Sequence, residues 1–366
     1  MASATLSSAE AANGCYKGVT PRWEIFPQRI SSLPGPPCQP CGASSRALKE
    51  RVGWEKIGIA LGLLIVASAA VTLIRLLSDV ELDNVIMAIK AKPLREVATA
   101  SAFVAIGYVT LTFHDLFALR SIGRDAVPYR VAALASFTSY SIGHNLGATV
   151  FTGGVIRLRI YSEWGLTVVD IAKIAFITGL TFWLGNAFVL GAGMAYAPEA
   201  ASAVDDLPPS INRAIGLTGL ALIGLYLAWL MPRARVIGRA DWQIVLPNWR
   251  LTLVQIGIGA LDLGSGAAAM YTLLPAHPAV DFSTLLVIFV TAILLGFLSH
   301  APGSIGVIEA AMLVGFPQFP KDTLLASLLI FRALYFILPF IAAASLLGLR
   351  ELWLIAGPLA GRCNRK

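Results

Sequence analysis

Charge is what this sequence has least of. Only 13% of its 366 residues are Asp, Glu, Lys or Arg, about half the share of a soluble globular domain, which excludes an ordinary soluble enzyme. Cysteine is sparse too: Cys15, Cys38, Cys41 and Cys363 all lie outside the apolar segments and are too few to frame a disulfide scaffold. Cys38 and Cys41 form a lone C-x-x-C in a Pro-rich stretch, with no second pair to complete a zinc or redox site, and read as incidental. The four histidines have neither H-x-x-x-H nor H-E-x-x-H spacing, so no metal is expected. A P-loop lysine motif is missing, which removes the common ATP cradle, and no cofactor is expected.

Apolar residues fill the space that charge leaves. They make up 57% of the chain, and a mean hydropathy of +0.73 over the whole length describes a polytopic membrane protein with several spans of about 20 residues. The net charge of +7 does not point to nucleic acid, because Lys and Arg sort by loop as they do in membrane topology. Residues 1–45 have no continuous apolar run and read as a disordered cytoplasmic tail, not a secretory signal. A transmembrane domain is expected over 46–353 and a second cytoplasmic tail over 354–366. Full spans are predicted at 57–77, 97–119, 171–195, 211–231, 251–274 and 323–349, with Arg75 and Lys173 close enough to span ends to snorkel.

Two stretches behave differently. Residues 131–166 begin as an apolar helix, break at Gly143-His144-Asn145-Leu146-Gly147 and at Thr152-Gly153-Gly154, then continue with Arg157 and Arg159. Residues 282–316 break from Ser299 to Gly306 before a short helix carrying Glu309. Lipid cannot satisfy the amides of broken backbone, so such segments must be buried in protein or line a wet cavity. Both read as re-entrant hairpins. With them, Lys and Arg alternate across the membrane, both termini are cytoplasmic, and each half becomes span, span, hairpin, span with opposite threading. The expected architecture is therefore all-α with six full spans and two re-entrant hairpins in an inverted repeat, repeat A over 57–196 and repeat B over 211–349.

A charged side chain at mid-membrane costs about 2.5–3.5 kcal/mol, so Asp115, Arg157, Asp262, Glu309 and Arg332 must be paired or solvated. Several pairings are open. Asp115 could be an interfacial helix-end charge, Arg332 could pair with Asp262 or Glu309, and Arg157 could pair with Glu309 across the repeat axis. Alternatively, Gly154 and Arg157 at one tip suit an anion, Glu309 at the other suits an amine or proton, and together they suit a zwitterionic lipid headgroup. His144 with Asn145, and His300 with Gly303, sit at the two breaks and complete the candidate substrate-binding set. Ser299 and His300 near a buried Asp would suit a hydrolase, but there is no nucleophile elbow, and chain neighbours point different ways. Enzyme activity is not expected.

These residues resemble those of a known family, the transmembrane flippase domain of lysylphosphatidylglycerol synthetases (multiple peptide resistance factors) and their stand-alone relatives. The likeness lies in Tyr108 to Gly123 with Asp115, Gly153-Gly154-x-x-Arg157 to Tyr161, and Ala260-Leu261-Asp262 through Pro275. Ser299 to Glu309 followed by Arg332-x-x-Tyr335-x-x-x-Pro339 completes it, over about Glu50 to Trp353. The resemblance implies a lipid translocase of the bacterial inner membrane, passing a headgroup through a polar cleft while the acyl chains remain in the bilayer. So few residues follow Trp353 that the soluble synthase domain of two-domain members is expected to be absent. The implied partners are membrane lipids, with a second copy of the chain or a separate lipid-modifying enzyme as protein partners. A proton-coupled transporter of a small solute and an intramembrane lipid-modifying enzyme are the rival readings.

Overall fold

The computed structural model describes residues 81–146, 149–231, 235–239 and 242–363. The predicted tail at 1–45, the first span at 57–77 with Arg75, and the end of the C-terminal tail lie outside the described residues. In chain order the helices are α1 (Leu82–Ala91), α2 (Leu94–Ser121), α3 (Tyr129–Leu146), α4 (Thr149–Tyr161), α5 (Val168–Tyr196), α6 (Pro198–Asp205), α7 (Pro209–Leu230), α8 (Trp249–Leu273), α9 (Phe282–Ser299), α10 (Val307–Gly315), α11 (Lys321–Arg332) and α12 (Leu338–Cys363). Between α7 and α8, the β-branched and aromatic runs Val236–Arg239 (β1) and Trp242–Val245 (β2) pair antiparallel with Val236 opposite Val245, a small hairpin the sequence reading does not anticipate.

The fold is all-α and polytopic. Among the described residues, six helices are long and apolar enough to cross a membrane: α2, α5, α7, α8, α9 and the rod Lys321–Trp353. Five coincide with predicted full spans. The sixth, α9, is expected from sequence as the first arm of a hairpin; its 18 apolar residues reach about 27 Å, just short of a hydrocarbon core of about 30 Å.

Helix starts follow from local chemistry. The Thr167 hydroxyl accepts the Asp170 N–H (3.3 Å) while the Asp170 carboxylate accepts the Thr167 N–H (2.9 Å), a capping box that opens α5. Arg124 fixes the same carboxylate at 2.8 Å. At the head of α8 a single side chain does this work, with Asn248 Oδ1 accepting the Leu251 N–H at 2.9 Å.

Contacts along the spans fix their relative directions. Gly107 of α2 faces Asp262 and Ser265 of α8, while Lys92 donates to Leu273 O at the far end of α8 (2.6 Å), so these two helices are antiparallel. Gly185 of α5 meets Gly259 of α8, and one turn earlier in both helices Gln255 donates to Thr181 (2.9 Å), so α5 and α8 are parallel. Ser327 donates to Leu273 O and Tyr335 packs beside Gly266, which makes the rod α11–α12 antiparallel to α8. The broken stretches are antiparallel pairs of arms. In the first, Ser139 Oγ donates to Gly153 O at 3.1 Å; in the second, Gly296 lies against Ser304 and Ile308, and Gly315 against Ile288. Helices α2 and α5 thus run in opposite senses, as do α8 and the rod α11–α12. Between the end of α4 and the middle of α12, Arg159 pairs with Glu351 (2.6 Å) and Arg350 with Glu163 (2.7 Å), joining the two halves.

A π-helical turn, Ala333–Ile337, interrupts the last rod. Pro339 has no N–H to give the Tyr335 carbonyl four residues earlier, and its ring crowds that carbonyl. The first half supplies the missing donors: Tyr108 Oη donates to Tyr335 O (2.9 Å) and Asn145 Nδ2 to Phe336 O (3.0 Å). Tyr108→Phe is therefore expected to cost about 1–3 kcal/mol, the penalty of an orphaned buried carbonyl. Pro339→Ala restores an N–H, so the double variant should recover part of that loss in denaturant unfolding in detergent; equal losses in the single and double variants would refute the account.

Candidate functional site

Two ion pairs hold the returning arms of the hairpins. Asp115 on α2 is wholly buried and receives Arg157 of α4 through Nε (2.9 Å to Oδ2) and Nη2 (2.8 Å to Oδ1), with the Tyr161 hydroxyl donating at 2.9 Å. The Arg157 guanidinium also lies 5.0 Å over the Tyr140 ring. In the second half, Glu309 of α10 accepts from Arg332 Nε (2.7 Å) and Nη2, while its other oxygen caps the Gly306 N–H at 2.8 Å. Arg332 Nη1 reaches on to the Gly303 carbonyl (2.8 Å) and so ties down the second tip. Gly303 has φ +60°, a conformation L side chains rarely adopt, and a Cβ there would lie 3.7 Å from Asn145 O, so the two tips adjoin.

Beside the adjoining tips is a cavity of about 180 Å³. Its polar lining comes from His114 and Asp262, His144 and Tyr140 of the first hairpin, His300 and Ser304 of the second tip, and Tyr335 of the π turn. Leu111, Leu263, Ile293, Ile308 and the rings of Phe151, Phe182, Phe297 and Phe336 form most of the remaining wall. His114 Nδ1 and the Tyr140 hydroxyl share a hydrogen bond at 3.3 Å, but His114 Nε2 and Asp262 Oδ1 are buried with no partner among the described residues. No Lys or Arg among the described residues lines this cavity. Among the same residues no group of three or more His, Cys, Asp or Glu is placed to hold a metal ion.

The predicted residues thus divide. His144, Asp262 and His300 line the cavity, whereas Asp115, Arg157, Glu309 and Arg332 form the two pairs, and Asn145 and Gly303 join the tips to the last rod. Three expectations need correction. Asp115 is no interfacial helix-end charge, Arg157 does not pair with Glu309, and the two do not face one hollow as opposite poles, because each charge is satisfied within its own half. Gly154 has open space around it; the close approach of the arms is at Gly153, where an added Cβ would lie 3.5 Å from Ser139. Sequence reasoning missed Tyr140, Ser304 and the phenylalanines as cavity walls. Tyr335 sat in a quoted motif, and His114 beside Asp115, whose side chain leaves the helix about 100° away.

A protein of Synechocystis sp., the uncharacterized protein slr0712, is 30% identical over 271 residues, covering 74% of this chain and 84% of that protein. The chain belongs to the slr0712 family. It is also similar to the inner membrane protein YbhN of Escherichia coli, 29% identical over 253 residues, 67% of this chain and 77% of YbhN. No protein-family model matches the chain. With six apolar helices among the described residues, this member of the slr0712 family is an integral membrane protein.

Proposed function

We propose that this protein is a lipid translocase of the bacterial inner membrane, with both hairpins dipping into the bilayer and a lipid headgroup passing through the cavity where their tips adjoin. The observation that carries the reading is a carboxylate oxygen and an imidazole nitrogen, Asp262 Oδ1 and His114 Nε2, buried without partners among the described residues on two side chains that line one largely apolar cavity. Buried polar atoms are paired as a rule, and two exceptions on the lining of one cavity support a polar ligand beside them. Asp262, His144 and His300 contact that ligand in this reading. Asp115, Arg157, Glu309, Arg332, Asn145 and Gly303 are positioning residues that hold the hairpins, and Gly154 leaves room beside the first. YbhN is named for the inner membrane, the Lys and Arg pattern supports cytoplasmic termini, and the likeness to the lysylphosphatidylglycerol synthetase flippase domain supports the same activity.

The test is transbilayer movement of a headgroup-labelled fluorescent phospholipid in proteoliposomes, read by quencher accessibility. Movement above that in protein-free vesicles is expected, with the lipid unchanged by mass spectrometry. Asp262→Asn should slow it about tenfold, the factor carried by one lost charge-assisted contact. Its thermal midpoint should not fall, since Oδ1 gives up no bond. Movement no faster than in protein-free vesicles, or a covalently altered lipid, would reject the translocase.

A further inference from the structure

The expectation that acyl chains stay outside does not suit the walls of this cavity. Its volume of about 180 Å³ is below the roughly 300–1,000 Å³ of pockets that enclose whole small molecules and has room for only a short length of alkyl chain, and Leu111, Leu263 and Ile308, all buried, form part of its inner surface. Apolar voids do not hold water well, and one left empty forfeits dispersion contacts on every side. The fluid next to a polytopic membrane protein is hydrocarbon. A route for it is present: Val150 and Phe151 of α4 line the cavity and are also 60% and 79% exposed, so the cavity reaches the surface between the first hairpin and the helices that carry Phe182 and Phe297.

We propose that the cavity binds part of an amphiphile, its polar group beside Asp262 and His114 and a short length of its hydrocarbon chain inside, entering past Phe151 and lying against Phe182 and Phe297. The ligand class is a lipid with a flexible alkyl chain, and the bulk at Phe182, Ile293 and Phe297 sets how much chain is admitted. This rests on the lipid reading above but has its own readout.

The experiment uses the full chain in vesicles of phosphatidylethanolamine and phosphatidylglycerol, with a tracer phospholipid carrying a photoreactive diazirine on the acyl chain. Labelled peptides are mapped by mass spectrometry. The expected result is label on Leu111, Leu263 or Ile308, which surrounding bilayer lipid cannot touch, as well as on lipid-facing Leu222 and Leu225. Ile293→Trp fills the cavity and should cut the inner label about tenfold while leaving Leu222 and Leu225 unchanged. Label confined to lipid-facing positions in the unaltered protein overturns the proposal, and that arm needs no variant to fold. A cavity labelled only by a headgroup diazirine overturns it as well. Inner label without transbilayer movement would sink the translocase and leave this site standing; movement without inner label would do the reverse.

Discussion

Arg157→Ala is expected to lower the unfolding free energy of the protein in detergent by about 3–5 kcal/mol, the usual cost of stranding one member of a buried ion pair. Asp115 is wholly inside the protein, and with the guanidinium gone its carboxylate is left to the Tyr161 hydroxyl. The pair itself need not be stabilising relative to an apolar replacement, because two charges were desolvated to make it. Asp115→Leu with Arg157→Leu should therefore lose much less than Arg157→Ala alone. Urea unfolding followed by tryptophan fluorescence measures both. A loss under about 1 kcal/mol for the single variant, which is the range of a surface pair, would mean that water reaches Asp115. Arg332→Ala should cost less than Arg157→Ala: Glu309 is slightly exposed and keeps the Gly306 N–H.

The second large effect is expected at Gly185. A Cβ added there would sit 2.7 Å from the Gly259 Cα, and one added at Gly259 would sit 2.8 Å from the Gly185 Cα and 3.1 Å from Thr181 O. Backbone lies on both sides, so no flexible side chain can yield. Gly185→Leu must push α5 and α8 apart and stretch the Gln255–Thr181 bond, at a cost of about 3 kcal/mol or more. The measurement is the fraction of monodisperse protein and its denaturation midpoint. Gly257→Ala, two residues from Gly259 with open space around it, is the control and should be neutral or stabilising by up to about 1 kcal/mol. Equal behaviour of the two variants would contradict the close crossing.

The apolar helices were legible because each is a long hydrophobic run; the capping box of Thr167 and Asp170 at the head of α5 adds a local start signal that run length alone does not use. The second break was legible, since His300 through Gly306 interrupt an apolar run, but the first was misplaced: Gly143, His144 and Asn145 stay inside α3, and Thr152-Gly153-Gly154, expected as a break, is helical within α4. Partner choice was not legible. A charge in a span announces that it needs a partner, but Arg157 finds Asp115 at a separation of 42 residues, and Arg332 takes Glu309 in place of Asp262. Only the packed structure shows which of these charges stays out of an ion pair among the described residues, and it is Asp262, whose buried Oδ1 has no partner there. Pro339 likewise announces an orphaned carbonyl, yet its donor Tyr108 is 227 residues from Tyr335. Among 33 glycines, nothing local marked Gly185 and Gly259 as a pair whose backbones meet.

The placement of the ion pairs has a consequence for ionic strength. Asp115–Arg157 and Glu309–Arg332 each lie inside one half, shielded from mobile ions, whereas Arg159–Glu351 and Arg350–Glu163 bridge the halves where electrolyte can reach them. With a Debye length of about 8 Å in physiological saline and about 3 Å at 1 M, added salt weakens the bridging contacts and spares the internal ones. Concentrated electrolyte should thus loosen one half against the other while each keeps its own packing.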